Sequence, residues 1–388
     1  MIRLLTIIGA RPQIIKAAAL SRTIRQSFSN EIKEIIVHTG QHYDYNMSEV
    51  FIKELDIPQP DYNLQLGSGR HGSQTASMIS GIEELLIKEQ PDWCVMYGDT
   101  NSTLAAAIAA AKIHIPIIHI EAGLRSFDKT MSEELNRIAC DHFSTLLFAP
   151  THTAINNLQN EGFKLNTKAP YTINNPCIFH SGDIMYDNTL FFLDIAKKNS
   201  KIIENLELIN TPYCLCTIHR DHNTDNINNL KSIFKTLLEV SKEISMTFVL
   251  PIHPRTKNTI KQYFTEKEYE SLMNDKYLKI IDPVSFLDMS TLESQAEIII
   301  TDSGGVQKEA YFFKKPCVIL RNTTEWVEIL EQKAGVLVGA NSEKIRNGIL
   351  HFIGNKDIEY PEIFGNGTTA QYICNTIVQL HEKKEKSD

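Results

Sequence analysis

Short apolar runs alternate with amphipathic stretches along almost the whole chain, the pattern of parallel strands joined by crossover helices. A chain patterned this way buries its sheets under helices on both faces. We read a first series of strands at Leu4 to Ile8, Ile35 to Thr39, Trp93 to Tyr97, Ile117 to Glu121 and Leu146 to Ala149. Its clearest helices are Gln13 to Gln26, Ser73 to Lys88, Leu104 to Ile113 and Thr151 to Glu161. A second series has strands at Tyr213 to Thr217, Thr247 to Pro251, Lys279 to Ile281, Glu297 to Thr301, Cys317 to Leu320 and Gly335 to Val338. Between them Pro170 to Asp183, rich in Asn, Pro and Gly, reads as an interdomain linker. The expected division is 1–172 and 173–365, each a doubly wound Rossmann-like α/β domain, followed by a helix within 366–388 that ends in a charged tail. Two such domains predict a ligand-holding cleft, with the ligand at the carboxyl ends of the strands.

Composition narrows the possible functions. The longest apolar candidate for a membrane span, Leu104 to Ile120, is interrupted by Lys112, His114 and Pro116, so no membrane partner is expected. Met1 to Gly9 reads as a strand rather than a signal peptide, which predicts a cytoplasmic protein. Seven scattered cysteines without paired CxxC motifs fit a reducing compartment and argue against disulfides or a structural zinc. Cys214 and Cys216 read as two small residues on one face of a strand. A net charge of -8 gives no global attraction for nucleic acid. An anionic ligand must therefore meet local cations and backbone amides.

Chemistry is expected where strands end. The first strand runs into Gly9-Ala10-Arg11-Pro12, with Lys16 one turn into the next helix; Gly9 would let a ligand near the backbone, and Arg11 and Lys16 could neutralise phosphate. The alternative is an ordinary turn with two solvated cations. Thr301-Asp302-Ser303-Gly304-Gly305 lies between a strand and a helix, so Ser303, Gly304 and Gly305 would present helix N-terminal amides to a diphosphate. Glu309, two turns on, would accept from ribose hydroxyls.

Three carboxylates fall at or beyond strand ends in the first domain. Asp99 could instead cap the helix that follows it, Glu121 could pair with Arg125, and Glu133 could sit beside the helix dipole ahead of Arg137. Converging on one rim, they could supply both acid and base. In the second domain His219 with Arg220, and His253 with Arg255, end successive strands and suggest anion contact.

With these residues in place, the chain resembles the non-hydrolysing UDP-N-acetylglucosamine 2-epimerases. The resemblance rests on GARPQIIK at Gly9 to Lys16, TGQH at Thr39 to His42, GDTNST at Gly98 to Thr103 and IEAGLRSFD at Ile120 to Asp128. EELNR at Glu133 to Arg137, TIHR at Thr217 to Arg220 and TDSGGVQKEA at Thr301 to Ala310 complete it, in family order over nearly the whole chain. It implies the GT-B architecture, two doubly wound domains facing a central cleft, with the C-terminal helix crossing back onto the first domain. It further implies elimination of UDP to a 2-acetamidoglucal and re-addition with the proton on the other face, without metal or other cofactor. By that resemblance Asp99, Glu121 and Glu133 are the acidic catalytic residues, and His219 contacts the nucleotide. Arg11 and Lys16 face the ligand, Ser303, Gly304, Gly305 and Glu309 hold diphosphate and ribose, and Met289 lies beside the uracil. A UDP-sugar substrate, a homodimer and a place in cell-surface polysaccharide biosynthesis are expected.

Two departures bear on the sugar: His222 stands where the family's HRxEN pattern has Glu, and Trp326 follows Thr324-Glu325 where an enterobacterial branch has Arg. The loop after Glu121 is also shorter than in that branch. The first alternative is a UDP-2,3-diacetamido-glucuronate 2-epimerase. A GT-B glycosyltransferase would need an acceptor groove, a hydrolysing relative would release UDP, and a sensor would bind UDP without turnover.

Overall fold

A computed structural model of the chain describes residues 1–41, 59–67, 69–355 and 357–385. His42 of the TGQH motif and 386–388 of the expected terminal helix lie outside them. The chain divides into two compact units, the first made of Met1–Asn188 with Glu362–Asp388 and the second of Thr189–Pro361.

The first unit is built on seven strands: β1 (Ile2–Ile8), β2 (Ile32–His38), β3 (Tyr62–Asn63), β4 (Trp93–Tyr97), β5 (Ile117–Ile120), β6 (Leu146–Ala149) and β7 (Cys177–His180). They lie in the order β3-β2-β1-β4-β5-β6-β7, every pairing parallel. The order reverses between β1 and β4, which is the switch point where doubly wound sheets bind ligands. Over one face lies the helix Asn101–Lys112, whose buried Ala105, Ala106, Ala107, Ala109 and Ala110 leave room for close neighbours. They share a core with Leu5, Ile7, Met78, Ile82 and Met96.

The second unit repeats the plan with β8 (Tyr213–Thr217), β9 (Thr247–Pro251), β10 (Leu278–Ile281), β11 (Ile298–Thr301), β12 (Cys317–Ile319) and β13 (Gly335–Leu337), ordered β10-β9-β8-β11-β12-β13. Alternate residues feed opposite faces, as the strand period of two requires. Cys214, Cys216, Ile298 and Ile300 enter one core, Tyr213, Leu215 and Ile299 the other. The two cysteines do share a face, as small core residues.

Two expectations need correction. The Pro170 to Asp183 segment is not a linker: it contains β7, which pairs with β6 from Leu146↔Cys177 to Ala149↔His180, and Phe179 stacks on Phe148 at 5.1 Å. The boundary therefore falls at 188/189 rather than 172/173. Turn-forming residues around a four-residue edge strand conceal it from composition. Glu121 is not the last strand residue, since β5 stops at Ile120 and Glu121 turns the chain with φ +73°.

Beyond the second unit the chain returns to the first, where the helix Thr369–Glu385 packs against the helix Arg11–Ser27.

Candidate active site

In the first unit the loops after β1, β4 and β5 meet around a buried ion pair. Lys16 rises from the helix Arg11–Ser27 and pairs with Glu121, 8% exposed. Gly98 sits against both: a Cβ there would lie 3.1 Å from Lys16 Nζ and 3.2 Å from Glu121 Oε2, and its φ is +61°. Only glycine meets both demands. Glu121 thus finds Lys16 rather than Arg125, which binds Asp141 and Glu161.

Asp99 follows Gly98 and is not a helix cap, because Thr100 caps the helix Asn101–Lys112 by accepting from Thr103 N. Its Oδ2 instead takes Arg137 Nη2 at 2.6 Å and Nε at 2.9 Å, while Asn136 Nδ2 donates to its carbonyl. Arg137 also reaches Glu134 at 2.9 Å. Burial pushes the Glu134 carboxyl up, but the Ser126 amide, Arg137 and the Phe127 amide outweigh it and hold it below its ordinary value. The two adjacent glutamates have separated duties. Glu134 ties down the loop, and Glu133 stays exposed on the first helical turn, accepting from Ser132 Oγ. Arg11 is exposed at the start of its helix. The gap at Gly9 belongs to the protein, not to a ligand, since a Cβ there would strike Ser102 Oγ and Thr39 Oγ1 at 2.1 and 2.2 Å.

In the second unit the loops after β8 and β11 are joined by Asp302, which is fully buried. It accepts from the amides of His219 and Arg220 at 3.1 Å each and from Asn223 Nδ2 at 3.0 Å, and His219 Nδ1 lies 3.2 Å away. Burial raises its carboxyl, yet the His219 and Asn223 contacts keep it below the ordinary value. His219 itself presents a side chain 52% exposed. Ser303 caps the helix Gly304–Phe312 through Val306 N, so Gly304 and Gly305 open that helix, where no preceding turn supplies carbonyls to their amides.

Beside this opening, a Cβ on Gly304 would lie 3.8 Å from Arg321 Nη1 and Glu325 Oε2 and 3.9 Å from Trp326 Nε1. Arg321 and Glu325 form a two-pronged pair at 2.9 and 3.0 Å. Lys308 Nζ stands 4.3 Å over the Trp326 ring, so the departing Trp is a buried wall with a cation on its face. Glu309 is half-buried, and its negative charge adds to burial in keeping the interior Glu293 carboxyl well above its ordinary value. Met289 is partly buried against the core of the same unit.

The His253 and Arg255 pair has local work. His253 Nδ1 accepts from Arg255 N at the start of the helix Pro254–Tyr263, and Arg255 binds Asp225 at 2.7 Å and Asp221 at 3.2 Å on the surface. Among the described residues no cluster of three or more His, Cys, Asp or Glu could hold a metal ion. The motifs overlooked Asp302, Glu134, Asn223 and Arg321 as organisers. Asp302 and Glu134 could have been suspected, each being a carboxylate beside an assigned residue.

Two parallel-sheet α/β units of this kind constitute the GT-B architecture of the solved structures they match. The UDP-N-acetylglucosamine 2-epimerase of Methanocaldococcus jannaschii, in complex with UDP-GlcNAc and UDP, superposes with a TM-score of 0.83 at 41% identity, covering 97% of this chain and 100% of that one. A UDP-N-acetylglucosamine 2-epimerase homolog of Methanococcus maripaludis is 47% identical over 97% of this chain and 100% of its own length. The UDP-2,3-diacetamido-2,3-dideoxy-D-glucuronate 2-epimerase of Pseudomonas aeruginosa is 43% identical, with the same two coverages. The chain belongs to the UDP-N-acetylglucosamine 2-epimerase family, whose sequence model matches residues 25–378.

Proposed function

We propose that this enzyme interconverts UDP-N-acetylglucosamine and UDP-N-acetylmannosamine by eliminating and re-adding UDP through a 2-acetamidoglucal. The observation that carries the reading is the Lys16–Glu121 pair packed against Gly98, with Asp99 next in the chain, in a member of this family. The proton on carbon 2, the carbon that bears the acetamido group, is only weakly acidic, so its loss is coupled to departure of UDP from carbon 1. The Ser303 amide is already given to Thr301 Oγ1 at 2.9 Å, so the Gly304 and Gly305 amides and the Ser303 hydroxyl, with His219 above Asp302, stabilise the leaving diphosphate, and Glu309 accepts from the ribose. Met289 borders the uracil, and Arg11 adds positive charge to the ligand's surroundings. Inversion needs proton removal on one face and delivery on the other, so at least two of Asp99, Glu121 and Glu133 act as acid or base. No metal or nicotinamide takes part in this scheme.

In deuterium oxide the product gains deuterium at carbon 2, and an oxygen-18 label bridging carbon 1 and phosphorus scrambles into non-bridging positions. Deuterium uptake with an unscrambled bridge would exclude elimination.

The Pseudomonas relative supports a second reading, a substrate carrying a carboxylate at carbon 6. NMR assays with both sugar nucleotides decide between them: turnover of the uronate alone would replace the first reading. We place the enzyme in the cytoplasm, serving cell-surface polysaccharide synthesis, as a homodimer. No described helix is long and apolar enough to cross a membrane. Light scattering tests the assembly, and a single-chain mass would end the dimer assignment.

A further inference from the structure

Beneath the Gly98 and Glu121 turns lies a histidine to which the scheme above gives no role. His119, on β5, is 1% exposed and uses both ring nitrogens. Nε2 lies 2.8 Å from the Gly98 carbonyl and Nδ1 lies 2.7 Å from Asp141 Oδ1. A carbonyl oxygen can only accept, so Nε2 carries a hydrogen. The other carboxylate oxygen of Asp141 accepts from Gly123 N at 3.1 Å and pairs with Arg125 Nη1 at 2.8 Å. Burial pushes the Asp141 carboxyl up, but His119 and Arg125 prevail and hold it below its ordinary value, so it too accepts. Both ring nitrogens are therefore engaged, Nε2 by the Gly98 carbonyl and Nδ1 by the Asp141 carboxylate.

The geometry points to His119 as a positioning residue of the epimerase, a buried ring held by Asp141 that fixes the Gly98 carbonyl and thereby the spacing of Asp99, Lys16 and Glu121. Gly98 is pinned from both ends, its amide donating to Ile120 O at 3.1 Å and its carbonyl accepting from His119. Asp141 holds the other side of the same turn through Gly123 N, two residues after Glu121. Moving either partner would shift Gly98 against Lys16 and Glu121, whose Nζ and Oε2 lie 3.1 and 3.2 Å from where a Cβ on Gly98 would stand. His119 touches no reacting atom, so its loss should lower turnover while sparing nucleotide affinity, whose contacts belong to the second unit. This inference rests on the epimerase reading.

The test uses the full-length enzyme with UDP-N-acetylglucosamine, turnover being counted per UDP-binding site from calorimetric titration. His119→Gln keeps a donor for Gly98 but loses the Asp141 bond; we expect at least a tenfold lower kcat, with KM and UDP affinity within about twofold of wild type. Asp141→Asn, which leaves the ring in place, should lower kcat in the same direction by a smaller factor. A folded His119→Gln enzyme with unchanged kcat, or one altered only in KM, overturns the assignment. If that variant does not fold, Asp141→Asn decides by the same rule. Selective nitrogen-15 labelling of the 13 histidines, with the His119 signals assigned from the variant that retains UDP binding, gives a readout independent of catalysis. Hydrogen on Nε2 is expected, and an Nε2 that carries none overturns the inference. A wild-type enzyme that puts no deuterium at carbon 2 fails the epimerase reading instead, and the ring signals then decide the state of His119 alone.

Discussion

Glu121 occupies the left-handed region, φ +73°, where a residue with a Cβ rests at a cost. The turn is held by its amide on Phe148 O at 3.0 Å, and it leaves the carboxylate against Lys16. Glu121→Gln, Asp99→Asn and Glu133→Gln should each cost on the order of a hundredfold or more in kcat if the residue serves as acid or base. Stopped assays with normalised UDP binding would measure this, and near-wild-type turnover in all three would remove the acid-base assignment. Glu309→Ala belongs to the other unit and should raise KM, because hydrogen bonds to a charged acceptor are worth about 1.5 to 3 kcal/mol. An unchanged KM would take the ribose from Glu309. Most residues named from the sequence are charged or glycine residues at a strand end or on the helix that follows, with Ser303 and Met289 the exceptions. His119 and Asp141 were passed over, and Asp302 and Glu134, though written within their motifs, were given no such role, because their work is to hold neighbours by hydrogen bonds between segments 8 to 83 residues apart, which a motif shows only as adjacency.

At the scale of elements, the strands with long apolar runs were legible because burial on both faces leaves little choice of residue. β4, β6, β8 and β9 fall on their expected bounds, whereas β3 and β7, edge strands of two and four residues, carry too few side chains to show a period. The terminal helix was visible by its pattern, but its anchor was not. Asp187 caps it from a distant segment, with Oδ1 accepting from Thr369 N at 3.1 Å and Oδ2 from Ala370 N at 2.8 Å. Burial pushes this carboxyl up to about 6, even though the Ala370 and Thr369 amides pull it down. A folded value above the ordinary 3.8 means that protonation favours the fold. The contribution is greatest below the ordinary value and is lost as pH rises through about 6. Between pH 4 and 7.5 the stability gap between wild type and Asp187→Asn should therefore change by about 2 kcal/mol, moving against wild type as pH rises. Urea unfolding at several pH values measures the gap, and parallel curves would count against a strained carboxylate at this cap.

Across the whole molecule all seven cysteines are free and buried. Burial alone raises the Cys94 thiol to about 12, and Cys214, Cys216 and Cys317 are displaced in the same direction. Thiolate is the reactive form, so the native protein should give almost no rapid reaction with an aromatic disulfide reagent, and seven equivalents in guanidinium. One fast-reacting thiol in the native state would contradict the burial described. The return of the chain to its first unit has a consequence for synthesis. The second unit is a single continuous stretch, Thr189–Pro361, and has all its strands once that stretch has left the ribosome. The first unit, although begun earlier, lacks the partner for the helix Arg11–Ser27 until Thr369–Glu385 has been made. At about 5–20 residues per second, its seven strands wait roughly ten seconds or longer after Asn188 with that helix face uncovered. The half of the protein translated first is therefore the half completed last.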